Sequence, residues 1–337
     1  MSTALLITNY GTPASSKTSD VRKYLRQMLN NNHVMTMNSF ARNILVNCII
    51  APFRAKKSAK LYSQLEDKRG MPLLYHTQDF VNKIQNILGN KVDVYYAMTA
   101  GTHLIKDIVP KILSKNYDKI IIVPMFPQYT ESTIGNAFGD VFNIIKDSFN
   151  IPEIITCNHF YNSPHYINSM ATLIKQNLGD FKYDKFIFSY HGIPISHTKS
   201  AHNNLDCKHY NCKQTINSEN SKCYLAQCYQ TTKLICKEAQ IPQEKAFTCF
   251  QSRFSDNWLQ PFTDISIKQM AKEGIKNIAI ITPSFTVDCL ETTIEISQTL
   301  KLDFIKNGGK EFKSIPCLNS SDFWAEDFCK IIENKLN

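Results

Sequence analysis

Apolar and β-branched residues gather in eight short runs, most of them followed by a turn and then by apolar residues at helical spacing: Ala4–Thr8, Val92–Met98, Lys119–Val123, Ile154–Cys157, Lys185–Tyr190, Ala246–Phe250, Asn277–Thr282 and Phe312–Pro316. Such runs read as strands. Amphipathic stretches lie between most of them, among them Ser19–Asn30, Thr77–Leu88, Thr263–Lys272 and Leu290–Ile305. Strands alternating with helices predict parallel sheets joined by helical crossovers. With about four strands per half, the pattern gives an α/β protein of two doubly wound domains. Ligands of such folds sit at the carboxyl ends of the strands.

The halves echo one another. Thr8-Asn9-Tyr10-Gly11-Thr12-Pro13 matches Ser189-Tyr190-His191-Gly192-Ile193-Pro194, each at the end of a strand run. Glu131-Ser132-Thr133-Ile134 matches Glu291-Thr292-Thr293-Ile294, each after an apolar strand, a proline and a phenylalanine. Two matched pairs in the same order indicate an internal duplication. Tyr10 and His191 then become counterparts, expected to face each other across a cleft between the domains.

The 337 residues suit two α/β domains, and 43% hydrophobic with 20% charged residues is ordinary for a globular chain. There is no apolar run near the ~20 residues that span a bilayer, and the start MSTALLITNYGTP enters a strand at once instead of reading as a signal peptide. The expectation is a cytoplasmic protein. A net charge of +9 suggests an anionic partner. Arg54, Lys56, Lys57 and Lys60 follow the apolar stretch 44–53. That order suits a carboxylated apolar ligand or lipid headgroups, so residues 44–60 read as a peripheral membrane contact; the plain alternative is a solvated helix face. No nucleic-acid-binding signature is present.

His191 lies just past a buried-looking strand, before a glycine and a proline that shape a tight loop. An imidazole there can bind metal or accept a proton, although a lone histidine is more often structural. Asp288, Glu291 and Glu295 stand at i, i+3 and i+7, along one face of a helix. A row of carboxylates can pass a divalent cation and carry protons. The helix dipole alone favours acids in a first turn by about 0.3–1 kcal/mol each. That accounts for Asp288 and, less fully, for Glu291, but not for Glu295. No phosphate-binding glycine loop, nucleophile elbow or catalytic triad signature is visible.

The stretches FSYHGIP (188–194), CFQSRF (249–254) and PSFTVDCLETTIEI (283–296) closely resemble the ferrochelatases. So do LLITNYGTP (5–13), VRKYLRQML (21–29) and PMFPQYTESTIG (124–135). The resemblance covers nearly the whole chain in order. It implies two Rossmann-like domains with parallel four-stranded sheets and an active-site cleft between them: 1–158, then 159–311, then a segment 312–337 returning to the first. It implies insertion of Fe2+ into protoporphyrin IX with release of two protons. On this resemblance His191 matches the active-site histidine, Glu291 the facing glutamate, and Asp288 and Glu295 the remaining acids. Phe285 matches a ring beside the macrocycle, Tyr10 stands opposite the histidine, and Tyr129, Ser132 and Thr133 line the porphyrin's other side.

Three departures touch groups that would meet porphyrin edges and propionates: Thr99-Ala100-Gly101 in place of Arg-Tyr-Gly, Gly70-Met71-Pro72 in place of Gly-Ser-Pro, and Lys56-Lys57 where an arginine is frequent. Lys57 supplies charge without the bidentate fork of arginine. Coproporphyrin as substrate is therefore an alternative, as is a non-catalytic haem- or porphyrin-binding protein or an iron–sulfur sensor on the same fold.

Eleven cysteines, reduced in a cytosolic setting, argue against a disulfide scaffold. Residues 197–228 hold a cysteine-rich insertion with Cys207, Cys212, Cys223 and Cys228 at C-x4-C-x10-C-x4-C spacing. Four such thiolates can hold an iron–sulfur cluster or close a zinc site. The arms are wider than the C-x2-C turns of most zinc knuckles, and some microbial ferrochelatases look similar in carrying an internal [2Fe-2S] cluster on such a segment. His202 or His209 can replace one cysteine in either set.

Overall fold

A computed structural model describes residues 2–32, 34–35 and 37–336. By its contacts the chain divides into two compact units, residues 1–126, 130–158 and 320–337 in one, 127–129 and 159–319 in the other.

The first unit is built on β1 (Thr3–Asn9), β2 (Val92–Met98), β3 (Lys119–Pro124) and β4 (Glu153–Thr156), all parallel in the order β2-β1-β3-β4. Every residue of β1 is buried, as expected of a central strand with helices on both faces. The helices are α1 (Thr18–Leu29), α2 (Ser39–Ile44), α3 (Ala51–Leu65), α4 (Pro72–Leu88), α5 (Ile105–Leu113) and α6 (Asn136–Ile145), with π-helical turns at Leu45–Ile50 and Glu131–Gly135. A proline opens α4 at its first position, where no amide hydrogen is missed.

The second unit repeats this plan with β5 (Lys185–His191), β6 (Ala246–Gln251), β7 (Asn277–Ile281) and β8 (Glu311–Ser314) in the order β6-β5-β7-β8. Its helices are α7 (Pro164–Leu178), α8 (Ile195–Ser200), α9 (Tyr224–Ala239), α10 (Thr263–Lys272) and α11 (Lys301–Lys306), the last continuing a π-helix over Glu291–Leu300. The two sheets share one strand order, and each of the matched Glu-containing motifs opens a π-helix. β8 belongs to the second sheet, so the return to the first unit begins at Ser320, not at residue 312. The returning helix α12 (Asp322–Leu336) buries Trp324 and Phe328 against Phe80 of α4, with ring centroids 5.7 and 5.2 Å away.

Candidate active site

His191 ends β5, the central strand of its sheet next to β6 and β7, so its backbone is fixed by parallel pairing while its partly exposed ring lies at the carboxyl edge. The backbone amide donates to Ser284 Oγ at 3.0 Å, and the carbonyl accepts from the Tyr224 phenol at 2.8 Å. Nδ1 lies 2.7 Å from the carbonyl oxygen of Gly192. A carbonyl only accepts, so Nδ1 carries the proton and Nε2 keeps its lone pair. Gly192 must be glycine, because a Cβ there would meet the Gln251 carbonyl oxygen at 2.9 Å. The rings of Phe285 and Trp258 stand 6.0 and 6.5 Å from the imidazole.

The three acids do not form a uniform ladder. Asp288 accepts hydrogen bonds from Asn319 Nδ2 (2.7 Å), Thr292 Oγ1 (3.1 Å) and the Cys317 amide (3.1 Å). Its carboxylate ties the start of the π-helix to the loop after β8, which is the structural role a helix N-terminus offers an acid. Glu291 and Glu295 stand one turn apart on the π-helix and interact electrostatically. Loss of hydration at its carboxyl, then the charge of Glu291, pushes Glu295 up to about 7 although the residue as a whole is exposed, partly offset by a 3.0 Å bond from Ser252 Oγ. Ser252 adopts a left-handed backbone, φ +62°, which makes the FQSR motif a strained turn aimed at this acid.

In the first unit Tyr10 follows β1, and its carbonyl accepts from the Ala100 amide (3.0 Å) and Thr99 Oγ1 (2.8 Å). Gly11 and Gly101 lock the two loops: a Cβ on either would lie 1.8 or 2.0 Å from a carbonyl oxygen of the other loop. Ser132 and Thr133 start the π-helix and hydrogen-bond to Thr130 Oγ1 at 3.3 and 2.5 Å. Lys57 is exposed on α3. Tyr129 belongs to the second unit, its amide donating to Gln227 Oε1 at 2.7 Å.

Residues 2–336 match the Ferrochelatase family. The chain is 37% identical to a ferrochelatase of Coxiella burnetii (strain CbuK_Q154) over 334 residues, covering 98% of this chain and 93% of the relative. It is 36% identical to one of Legionella pneumophila (strain Corby) over 341 residues, covering both completely. The chain belongs to the ferrochelatase family. The solved structure of SirB from Bacillus subtilis with Fe3+ matches at TM-score 0.55 and 8% identity, over 100% of this chain and 96% of that one, which is a likeness of fold.

The insertion that this ferrochelatase-family chain carries after its histidine loop brings together His202, Cys207, Cys212 and Cys223, whose ligating atoms all lie within 4.8 Å of one another. His202 Nε2 is 3.1 Å from Cys212 Sγ, and Cys207 Sγ is 3.7 Å from Cys223 Sγ. Cys228 is not in this group. It sits five residues into α9 from Cys223, about 7.5 Å along the axis and over 100° around it, fully buried beside Tyr224. Hydrogen bonds from the Cys212 and Cys223 thiols hold Cys207 far down, while Cys212 is pushed up by Cys207 and Cys223. Three thiols this close repel one another once ionised, so full deprotonation of the group calls for a cation.

Sequence alone assigns no role to Tyr224, Gln227 or Ser284, although the last lies in a stretch that resembles the family; their contacts with His191 and Tyr129 form only in the fold.

Proposed function

We propose that this chain inserts Fe2+ into protoporphyrin IX, releasing two protons, as the last step of haem formation. The observation that carries the reading is His191, whose Nδ1–H is committed to the Gly192 carbonyl so that Nε2 is the basic atom at the strand's carboxyl end. Metal insertion exchanges two pyrrole N–H protons for one Fe2+, so the site needs a proton acceptor near neutrality and a path for protons. His191 Nε2 accepts a ring proton. Glu295, titrating near 7, exchanges protons with Glu291 and solvent at neutral pH. Glu291 and His191 are the residues we assign to contact the incoming iron. Phe285, Tyr10, Tyr129, Ser132, Thr133 and Lys57 are assigned to the porphyrin; the support is their match to ferrochelatase motifs. Anaerobic turnover with Fe2+ and protoporphyrin IX, set against coproporphyrin, tests the reading. Selective use of coproporphyrin would replace the substrate, and absence of insertion with either would overturn the activity.

For the insertion, the donor set of three thiols and one imidazole fits a metal centre. The resemblance to cluster-bearing ferrochelatases supports a [2Fe-2S] cluster on His202, Cys207, Cys212 and Cys223; when bound it would supply a redox-active cross-link. A zinc ion is the second reading, favoured by compactness: the 3.7 Å between Cys207 and Cys223 Sγ is close to the edge of a zinc–thiolate tetrahedron, about 3.8 Å for bonds of ~2.3 Å. Two irons and two sulfides per chain, or one zinc and no sulfide, separate the two.

A peripheral membrane contact also belongs to this reading. Phe40, Ile44, Ile49 and Phe53 are 75, 47, 52 and 79% exposed, at spacings of four, five and four along a helix that is α, then π, then α. The wider π turn absorbs the five-residue step and keeps these side chains on one side, beside Arg54, Lys56, Lys57 and Lys60. Among the described residues no helix is long and apolar enough to cross a membrane.

A further inference from the structure

Within α9, Ala226, Tyr229, Gln230 and Lys233 stand at i, i+3, i+4 and i+7, along one face of the helix. Ala226 is buried, Tyr229 and Gln230 are half-buried, and Lys233 is exposed. A small residue, a ring, an amide and a cation in one row are unlike the apolar stripe that seats a helix on its sheet. This face borders a cavity of about 410 Å³, whose other walls include residues 212–215 of the insertion and Ala246 to Thr248 of β6. That volume falls within the roughly 300–1,000 Å³ of small-molecule sites. None of the side chains assigned to iron or porphyrin lines it.

β6 is the outer strand of its sheet, so one side of its main chain has no partner strand. The Gln251 carbonyl faces β5, accepting from the Gly192 amide at 2.8 Å, while the Phe250 amide faces away and donates to the Pro261 carbonyl at 2.9 Å. Main-chain groups alternate sides along a strand. Those of Thr248, two residues before Phe250, therefore point to the free edge, and Thr248 and Pro261 both line the cavity. Behind this wall the hydroxyls are already paired: Thr248 Oγ1 donates to Thr232 Oγ1 at 3.0 Å, which lies 2.9 Å from the Tyr190 phenol. The wall is thus held in place by its own bonds, as a binding site requires.

The charged residues on the lining are Lys213 and Lys233, and no acid lines it. Neither amine forms an ion pair or hydrogen bond with another of the described residues; Lys213 Nζ lies 5.9 Å from the centroid of the Tyr229 ring. Phe247 adds a second ring, and Gln214, Gln230 and Gln243 add side-chain amides. Two cations with no acid beside them attract an anion, and two rings suit a flat body. Amides and an open strand edge give that body its orientation.

We propose that this cavity is a second ligand site, for a small ring-bearing anion whose carboxylate or phosphate is held by Lys213 and Lys233 and whose ring packs on Tyr229 and Phe247. The bound ligand would tie residues 213–215 of the insertion to α9 and the edge of β6. The site is separate from the porphyrin chemistry and does not depend on it.

The test uses full-length protein purified anaerobically and two probes, anthranilate for a ring carboxylate and adenosine monophosphate for a ring phosphate. Calorimetry reads affinity and stoichiometry, and amide hydrogen exchange reads the peptides covering 212–215 and 246–248. At least one probe should bind at one site per chain and slow exchange in both peptides; the probe that binds names the acid, and binding of both supports the shared chemistry. The double variant Lys213→Gln, Lys233→Gln should weaken binding by about tenfold or more, the scale of one charge-assisted hydrogen bond. Gln230→Glu, which sets a negative charge in the wall, should weaken it at least as much. Both variants should metallate porphyrin at the wild-type rate, since neither touches His191 or the acids. No binding of either probe overturns the proposal. Binding with wild-type affinity in both variants, or binding that leaves exchange over 212–215 and 246–248 unchanged, places the anion elsewhere and overturns it equally.

Discussion

The imidazole Nδ1 of His191 lies 2.7 Å from the carbonyl oxygen of Gly192, its immediate neighbour in sequence. This contact fixes the tautomer locally and leaves the lone pair on Nε2, the atom assigned above to accept a ring proton. His191→Ala should therefore lower kcat by at least about 100-fold, the scale of general base catalysis, while porphyrin still quenches protein fluorescence with near wild-type affinity. A variant turning over near the wild-type rate would sink the assignment.

The acids should separate in mutagenesis. Glu291→Gln should lower turnover most and Glu295→Gln less, measured against Fe2+ concentration. Asp288→Asn should act mainly on stability, because its carboxylate accepts three hydrogen bonds that hold the 317–319 loop; hydrogen bonds to a charged group contribute about 1.5–3 kcal/mol each. Chemical denaturation with parallel assays checks the separation, and equal wild-type-like kinetics for all three would reduce the row to helix-end decoration.

Glu295 also gives a pH dependence with a definite sign. Its carboxyl is pushed up to about 7 in the folded protein against an ordinary value of 4.5, so the folded state holds the proton more tightly than the unfolded chain. The resulting stability is present at low pH and is lost as pH rises from about 4.5 through 7. Glu295→Gln should match the wild type below pH 4.5 and gain on it up to pH 7, with a constant advantage above. Denaturation midpoints across that range measure it, and a flat difference would refute the shift.

The insertion's ligand set is open to direct test. His202→Ala and Cys212→Ser should lose the resident metal and its colour or zinc content. Cys228→Ser should keep them, since Cys228 lies on α9 away from the group. Metal and sulfide analysis of the three variants decides, and metal loss in Cys228→Ser alone would restore the four-cysteine set.

The returning helix predicts a large stability effect far from the chemistry. Trp324 is fully buried between Phe80 and Phe328, and truncation to alanine should cost about 3–5 kcal/mol. Urea denaturation reads this directly. A change under 1 kcal/mol would show that α12 is not integral to the first unit.

The eight strands and their grouping were legible in the sequence, because parallel strands covered on both faces must be continuously apolar and their crossovers amphipathic. Val92–Met98 falls on the read run, and the others differ by only one or two residues at their ends. The duplication was legible too, since matched motifs at matched strand ends produced two sheets of one strand order. The placement of His191 at a strand end and of Glu291 at the head of a helix was legible as well. What the sequence could not decide was how side chains divide their bonds. Asp288 shares the spacing of the row, yet Asn319 and Cys317, brought in by the loop after β8, take up its carboxylate. Cys228 shares the spacing of the thiols, yet α9 starts at Tyr224 and turns it away, and His202 stands with the other three thiols instead. The grip of Tyr224 on the His191 carbonyl spans 33 positions of chain. Local periodicity carries no trace of such a bond, because it forms only when distant loops are packed against the same strand.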